Sequence, residues 1–100
     1  MARQVIWSFE ASTDLDDLAE FISKDSLYYA ASFVQEILEA SCTLSMLFER
    51  GRIVPEISNP TIREIFIREY RLLYRIEDTR IVILGLIHGK RDLKRMWEKE

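Results

Sequence analysis

The sequence predicts an α+β domain: an antiparallel sheet packed on an N-terminal helical hairpin, in the order β-α-α-β-β-β. Three observations carry that expectation. Between residues 13 and 48 the apolar side chains recur at helical spacing, and from residue 62 the period drops to two. The change falls where Gly51, Pro55 and Asn59-Pro60 interrupt both patterns. With 100 residues there is one core to bury, so residues 1–100 are expected to form a single domain.

Residues 3–10 (RQVIWSFE) read as a first strand, rich in β-formers. A helix is expected to start at Thr13, with Asp14, Asp16 and Asp17 at the positive end of its dipole. Leu15, Leu18, Ala19 and Ile22 then line one face while Asp17, Glu20 and Lys24 point away. Asp25 or Ser26 can cap a second helix running from Leu27 to about Phe48. Its apolar positions are Ala31, Val34, Ile37, Leu38, Ser41, Cys42 and Leu44, and Gly51 is placed to end it. So short a break makes the two helices an antiparallel hairpin.

Three β-rich runs follow, at 62–68, 70–76 and 81–88, the last two joined across Glu77-Asp78-Thr79. In the middle run Tyr70, Leu72, Tyr74 and Ile76 share one face, and Arg71, Leu73 and Arg75 the other. One side is expected to pack on the helices and the other to present its arginines to solvent.

Charge is split unevenly. Residues 1–49 hold nine acids and two bases, residues 50–100 eight acids and twelve bases, for a net charge of −3. That asymmetry points an anionic partner toward the C-terminal half. No apolar run approaches the ~20 residues of a membrane span, and the N-terminus carries no secretion pattern, so a cytoplasmic protein is expected. Cys42, the one cysteine, reads as a small core residue of the second helix. With one cysteine and one histidine the chain offers no zinc set, and it has no Walker loop or dinucleotide fingerprint; no metal and no cofactor are expected.

The residues with chemical potential are Glu56, Arg71, His88 and Arg91. Metal-free cleavage of RNA needs a base for the 2′-OH, a cation on the phosphate oxygens and an acid for the leaving oxygen. A carboxylate, a guanidinium and an imidazole fill those roles by type. Arg63, Arg75 and Lys90 are candidate phosphate contacts, and Trp97 a base-stacking platform. Each also has a plain structural reading. His88 can be a hydrogen-bonded strand-end residue, Arg71 and Arg75 can pair with Glu64, Glu69 or Glu77, and Trp97 can tack down the C-terminal tail.

The run "GRIVPEI…IREIFIREYRLLYRIEDTRIVILGLIHGKRD", residues 51–92, resembles the RelE/ParE superfamily of bacterial type II toxin–antitoxin modules. The resemblance rests on Gly51, Arg52, Pro55 and Glu56, on Ile62-Arg63-Glu64, on the YRLLYRI strand and on the closing HGKRD; the first half of the chain is similar as well. It implies the sheet-and-hairpin fold and a growth-arresting toxin, in a family tied to plasmid stabilization. A cognate acidic antitoxin, disordered before binding, would silence it in a toxin–antitoxin hetero-oligomer. RelE-like members are RNA-binding endoribonucleases that cut mRNA on the ribosome; ParE-like members are inhibitors of DNA gyrase with no hydrolytic role. The resemblance to the first branch puts Arg71 on the scissile phosphate, with Glu56 as base and His88 as acid, or Arg91 with an aromatic where Trp97 stands. Metal-independent mRNA cleavage is slightly favoured; the alternatives are gyrase inhibition, toward which the overall sequence leans, and a detoxified member that only binds antitoxin. The lysine pair of one nuclease sub-branch is replaced by Arg63-Glu64, and Gly89 stands where another has a tyrosine.

Overall fold

The computed structural model describes residues 2–89. Strand β1 (Gln4–Trp7) leads into helices α1 (Phe9–Ser23) and α2 (Leu27–Thr43). Strands β2 (Arg52–Ile53), β3 (Ile62–Ile67), β4 (Tyr70–Ile76) and β5 (Arg80–His88) follow. Among the described residues these strands form one sheet in the order β1-β5-β4-β3-β2. The α+β class and the helical hairpin are as expected, but the sheet is mixed: β1 runs parallel to β5, with Val5 opposite Ile81. The helical hairpin returns the chain as β2, opposite in direction to β1, and the antiparallel pairings that follow bring β5 back parallel to β1, so the N-terminal strand covers an edge of β5 that would otherwise be open.

Local capping explains where the first helix departs from expectation. Ser8, in extended conformation, accepts the Ala11 N–H at 3.1 Å and starts α1 five residues before Thr13, drawing Phe9 and Glu10 out of the first strand. Ser26 caps α2 in the same way through Tyr29. Helix α2 buries Ala30, Phe33, Ile37 and Ser41, whereas Ala31, Leu38 and Cys42 lie outside. The inward stripe is thus displaced from the expected one, and Cys42 is an exposed thiol. The helix ends at Thr43, well short of Phe48, and Gly51 has a different task. A Cβ there would stand 2.5 Å from the Tyr74 hydroxyl and 2.6 Å from the Glu64 carbonyl oxygen. Glycine lets the entry to β2 press against β3 and β4.

The sheet has a core on each face. Toward the helices, Phe33, Ile37, Ile65, Ile67, Leu72, Tyr74, Ile81, Ile83 and Leu86 are buried together. On the far face Ile62, Leu73 and Ile87 are covered by Val54, with Ile57 packed against them. The alternation read from β4 is therefore right, but the far face is not open: the segment between β2 and β3 lies over it. Opposite Leu73-Tyr74 the register shifts by one, leaving Leu84 as the extra residue of a bulge. Asp14 reaches from α1 to accept the Leu86 N–H at 3.1 Å, so this carboxylate ties the hairpin to the sheet.

Candidate functional site

Arg71 and Glu64 meet because the β3–β4 hairpin pairs Ile67 with Tyr70. That register sets Phe66 opposite Arg71 and Glu64 opposite Leu73, so Glu64 and Arg71 are diagonal neighbours on the far face. Glu64 Oε1 accepts from Arg71 Nε at 2.6 Å, and Arg71 Nη2 lies 2.5 Å away. Its Oε2 accepts from Arg52 Nε at 2.5 Å, since β2 places Arg52 directly opposite. Glu56, carried by the covering segment, takes the other edge of the guanidinium: Nη1 to Oε2 and Nη2 to Oε1, both 2.9 Å. The side chains of Glu64 and Arg71 are 0% and 4% exposed, and that of Glu56 is 27% exposed.

Arg71 is thus interior, contrary to the expectation that it faces solvent, and the covering segment that closes the far face is the cause. Two carboxylates and two guanidiniums make a cluster of zero net charge, the condition under which charge survives burial. Glu56 is held below the usual carboxylate range, chiefly by its hydrogen bonds from Arg71, with burial opposing. Arg71 is raised by the same hydrogen bonds to Glu56, again against burial. Burial pushes the Tyr74 phenol up, keeping the proton it donates to the Phe48 carbonyl at 2.8 Å while it accepts the Gly51 N–H at 3.0 Å.

Of the residues singled out in the sequence, Glu56 and Arg71 are brought together and His88 is not. His88 stands opposite Tyr70 and Arg71 opposite Ile87, so the imidazole and the guanidinium leave opposite faces of the sheet. The His88 ring meets Tyr70 edge-on at 5.4 Å, and Nε2 lies 3.6 Å from a Glu69 carboxylate oxygen. Arg63 donates to the Pro60 and Gly51 carbonyls, each at 3.1 Å, and holds two loops. Arg75 pairs with Glu77 at 2.9 Å. Lys90, Arg91 and Trp97 lie outside the described residues. Two members of the cluster went unseen in the sequence: Arg52, and Glu64 as a fully buried anion. The available signal was the two-residue hairpin Arg68-Glu69, whose register sets Glu64 beside Arg71. Among the described residues no group of carboxylate, histidine or cysteine ligands is suited to a metal ion.

A family model described as the ParE toxin of the type II toxin–antitoxin system parDE matches residues 5–93. Among solved structures, the chromosomal ParDE system of P. aeruginosa superposes with a TM-score of 0.74 at 21% identity, covering 89% of this chain and 98% of that one. The RelBE2 toxin–antitoxin complex of Mycobacterium tuberculosis superposes with a TM-score of 0.64 at 26% identity, covering 88% and 92%. No curated protein sequence matches closely enough to add to these.

Proposed function

This chain belongs to the ParE toxin family of type II toxin–antitoxin systems, and from that premise we propose a toxin that arrests growth by binding DNA gyrase and does not cut RNA. The observation supporting binding over cleavage is the state of Arg71. A phosphate would have to displace Glu56 from one edge of the guanidinium and Glu64 from the other, and Glu64 is wholly buried. His88, the chain's one histidine, serves the opposite face. The described arginines at 52, 63, 68, 75 and 80 are likewise each paired with a glutamate, and together they present little free cationic surface for a polyanion.

The antitoxin contact fits the β2–β3 edge. Ile53 and Phe66 are 41% and 53% exposed there, with the Arg52 guanidinium 5.1 Å over the Phe66 ring. An extended antitoxin segment laid along this edge gains strand hydrogen bonds and an apolar anchor. Arg71 takes no part, being closed off beneath Glu56.

Controlled expression with and without the antitoxin tests the reading, with growth, transcript integrity and plasmid topology read in parallel. Growth arrest with intact transcripts and blocked supercoiling is expected. Cleaved transcripts with normal topology would overturn it in favour of the nuclease reading, and normal growth would leave only an antitoxin-binding protein.

A further inference from the structure

The segment that covers the far face of the sheet is itself built like a ligand. Val54 is wholly buried against Ile62, Leu73 and Ile87, and Ile57 packs beside it. Between the two, Glu56 forks the Arg71 guanidinium with hydrogen bonds of 2.9 Å from Nη1 and Nη2. We propose that Val54-Pro55-Glu56-Ile57 occupies, within the chain, a docking site for a partner protein's segment of the same chemistry: two apolar anchors bracketing one carboxylate.

Three observations lead there. The first is how the cover is attached. The Ile57 and Ser58 N–H groups both donate to the Val54 carbonyl, at 3.1 and 2.9 Å, and the Ser58 hydroxyl donates to the Pro55 carbonyl at 3.1 Å. Among the described residues, no main-chain group from 55 to 60 bonds to β4 or β5. Glu56 and the two apolar side chains are what hold this turn on those strands. A turn that keeps its own bonds can lift without losing them.

The second is conformation. Ser58 sits at φ 57°, in the left-handed region that a serine adopts under strain. The closed cover therefore carries a local cost that lifting relieves. Glu56 is also the part-exposed carboxylate of the cluster, at 27%, whereas Glu64 is wholly buried. Release begins at Glu56.

The third is charge. With Glu56 lifted away, Arg52 and Arg71 share Glu64 alone, and an interior guanidinium is left one anion short. The incoming group is thus an anion for one edge of Arg71, with Glu64 keeping the other. A bare phosphate supplies the charge but leaves Leu73 and Ile87 uncovered. A protein segment replaces all three side chains like for like. The partner is the toxin's protein target, an assignment that rests on the gyrase reading; the displaceable cover does not rest on it.

The test uses the full-length chain and, as probe, the blocked peptide IVPEIS, the sequence of residues 53–58. In wild type the tethered copy competes with the peptide at high effective concentration. Glu56→Gln/Ile57→Ser, or the milder Glu56→Gln alone, should bind the peptide about fivefold or more tighter than wild type does. A peptide with glutamine in place of its glutamate should bind at least about fivefold weaker than IVPEIS. Equal binding to wild type and variants, or indifference to the peptide's glutamate, would overturn the proposal. So would a single-stranded RNA that takes the same face in competition with the peptide. In a second arm the loosened variants should bind gyrase about threefold or more tighter than wild type, since closure no longer depletes the competent state. Weaker binding would make the cover part of the contact and overturn the proposal. Failure of wild type and variants alike to bind gyrase would sink the gyrase reading, and the peptide arm would then decide the cover by itself.

Discussion

One oxygen of Glu64 serves two nitrogens of Arg71: Oε1 lies 2.6 Å from Nε and 2.5 Å from Nη2, with both side chains almost wholly excluded from solvent. This contact organises the far face of the sheet. The covering segment 54–61 is fastened to it by Glu56 through the same guanidinium, and β2 by Arg52 through the same carboxylate.

Removing one member therefore leaves an uncompensated buried charge. Arg71→Ala should lower unfolding stability by about 3–5 kcal/mol. Glu64→Leu with Arg71→Met should cost less than either single change, because an apolar pair of similar volume fills the site and the charges left behind, Glu56 and Arg52, are part-exposed. Urea unfolding of the three variants measures this. A double variant as weak as the sum of the singles would refute the account.

The fold was largely legible in the sequence, and the limits of that reading have physical causes. The switch from helical to alternating period placed both helices and the three long strands, because each buries a continuous stripe. Two-residue β2 has no period to read, and the parallel β1–β5 pairing depends on the path of the whole chain between them, which local pattern does not encode. Ser8 and Thr13 are both competent caps, and Ser8 wins where the strand's last hydrogen bond, Ser8 N–H to Ile83, ends. Arg71 was misplaced for a non-local reason. Alternation names the face of a strand, whereas exposure of that face depends on Val54, Glu56 and Ile57, which arrive from elsewhere in the chain. Of the candidate site, the Glu56–Arg71 pairing was within reach by residue type; the separation of His88 required the β4–β5 register.

Gly51 is fixed by its neighbours. Gly51→Ala would push a methyl against the Tyr74 hydroxyl and the Glu64 carbonyl, a cost of about 1–3 kcal/mol from overpacking. Tyr74→Phe alone removes the acceptor of Gly51 N–H and the donor to Phe48, costing a further ~1–3 kcal/mol. In combination, the loss should be less than additive, since deleting the hydroxyl relieves one clash but not the one with backbone. Thermal melts of the singles and the double variant decide it.

Leu72 and Ile83 face α1 and α2 from adjacent strands and are fully buried. Leu72→Ala and Ile83→Ala should each cost about 2–5 kcal/mol. Phe66→Ala, at the exposed edge, should change stability little and weaken antitoxin binding by about 1 kcal/mol or more. Chemical denaturation and titration with the antitoxin separate the two classes.

Acid should release the covering segment before it unfolds the core. The Glu56 carboxyl titrates below its ordinary value of 4.5 in the folded chain, chiefly through its hydrogen bonds from Arg71. At pH values between the folded and unfolded constants, the unfolded chain binds more protons. Stability from Glu56 is therefore complete above the unfolded value and is lost as pH falls through the folded one. Glu56→Gln lacks this titration. The stability difference between wild type and Glu56→Gln should be constant above about pH 5.5 and shrink steadily toward pH 3. Glu77, also depressed, by Arg80 and Arg75, is present in both chains and cancels. Denaturant unfolding of the two proteins across this range provides the check. A difference independent of pH would mean that Glu56 is not ion-paired with Arg71 in solution.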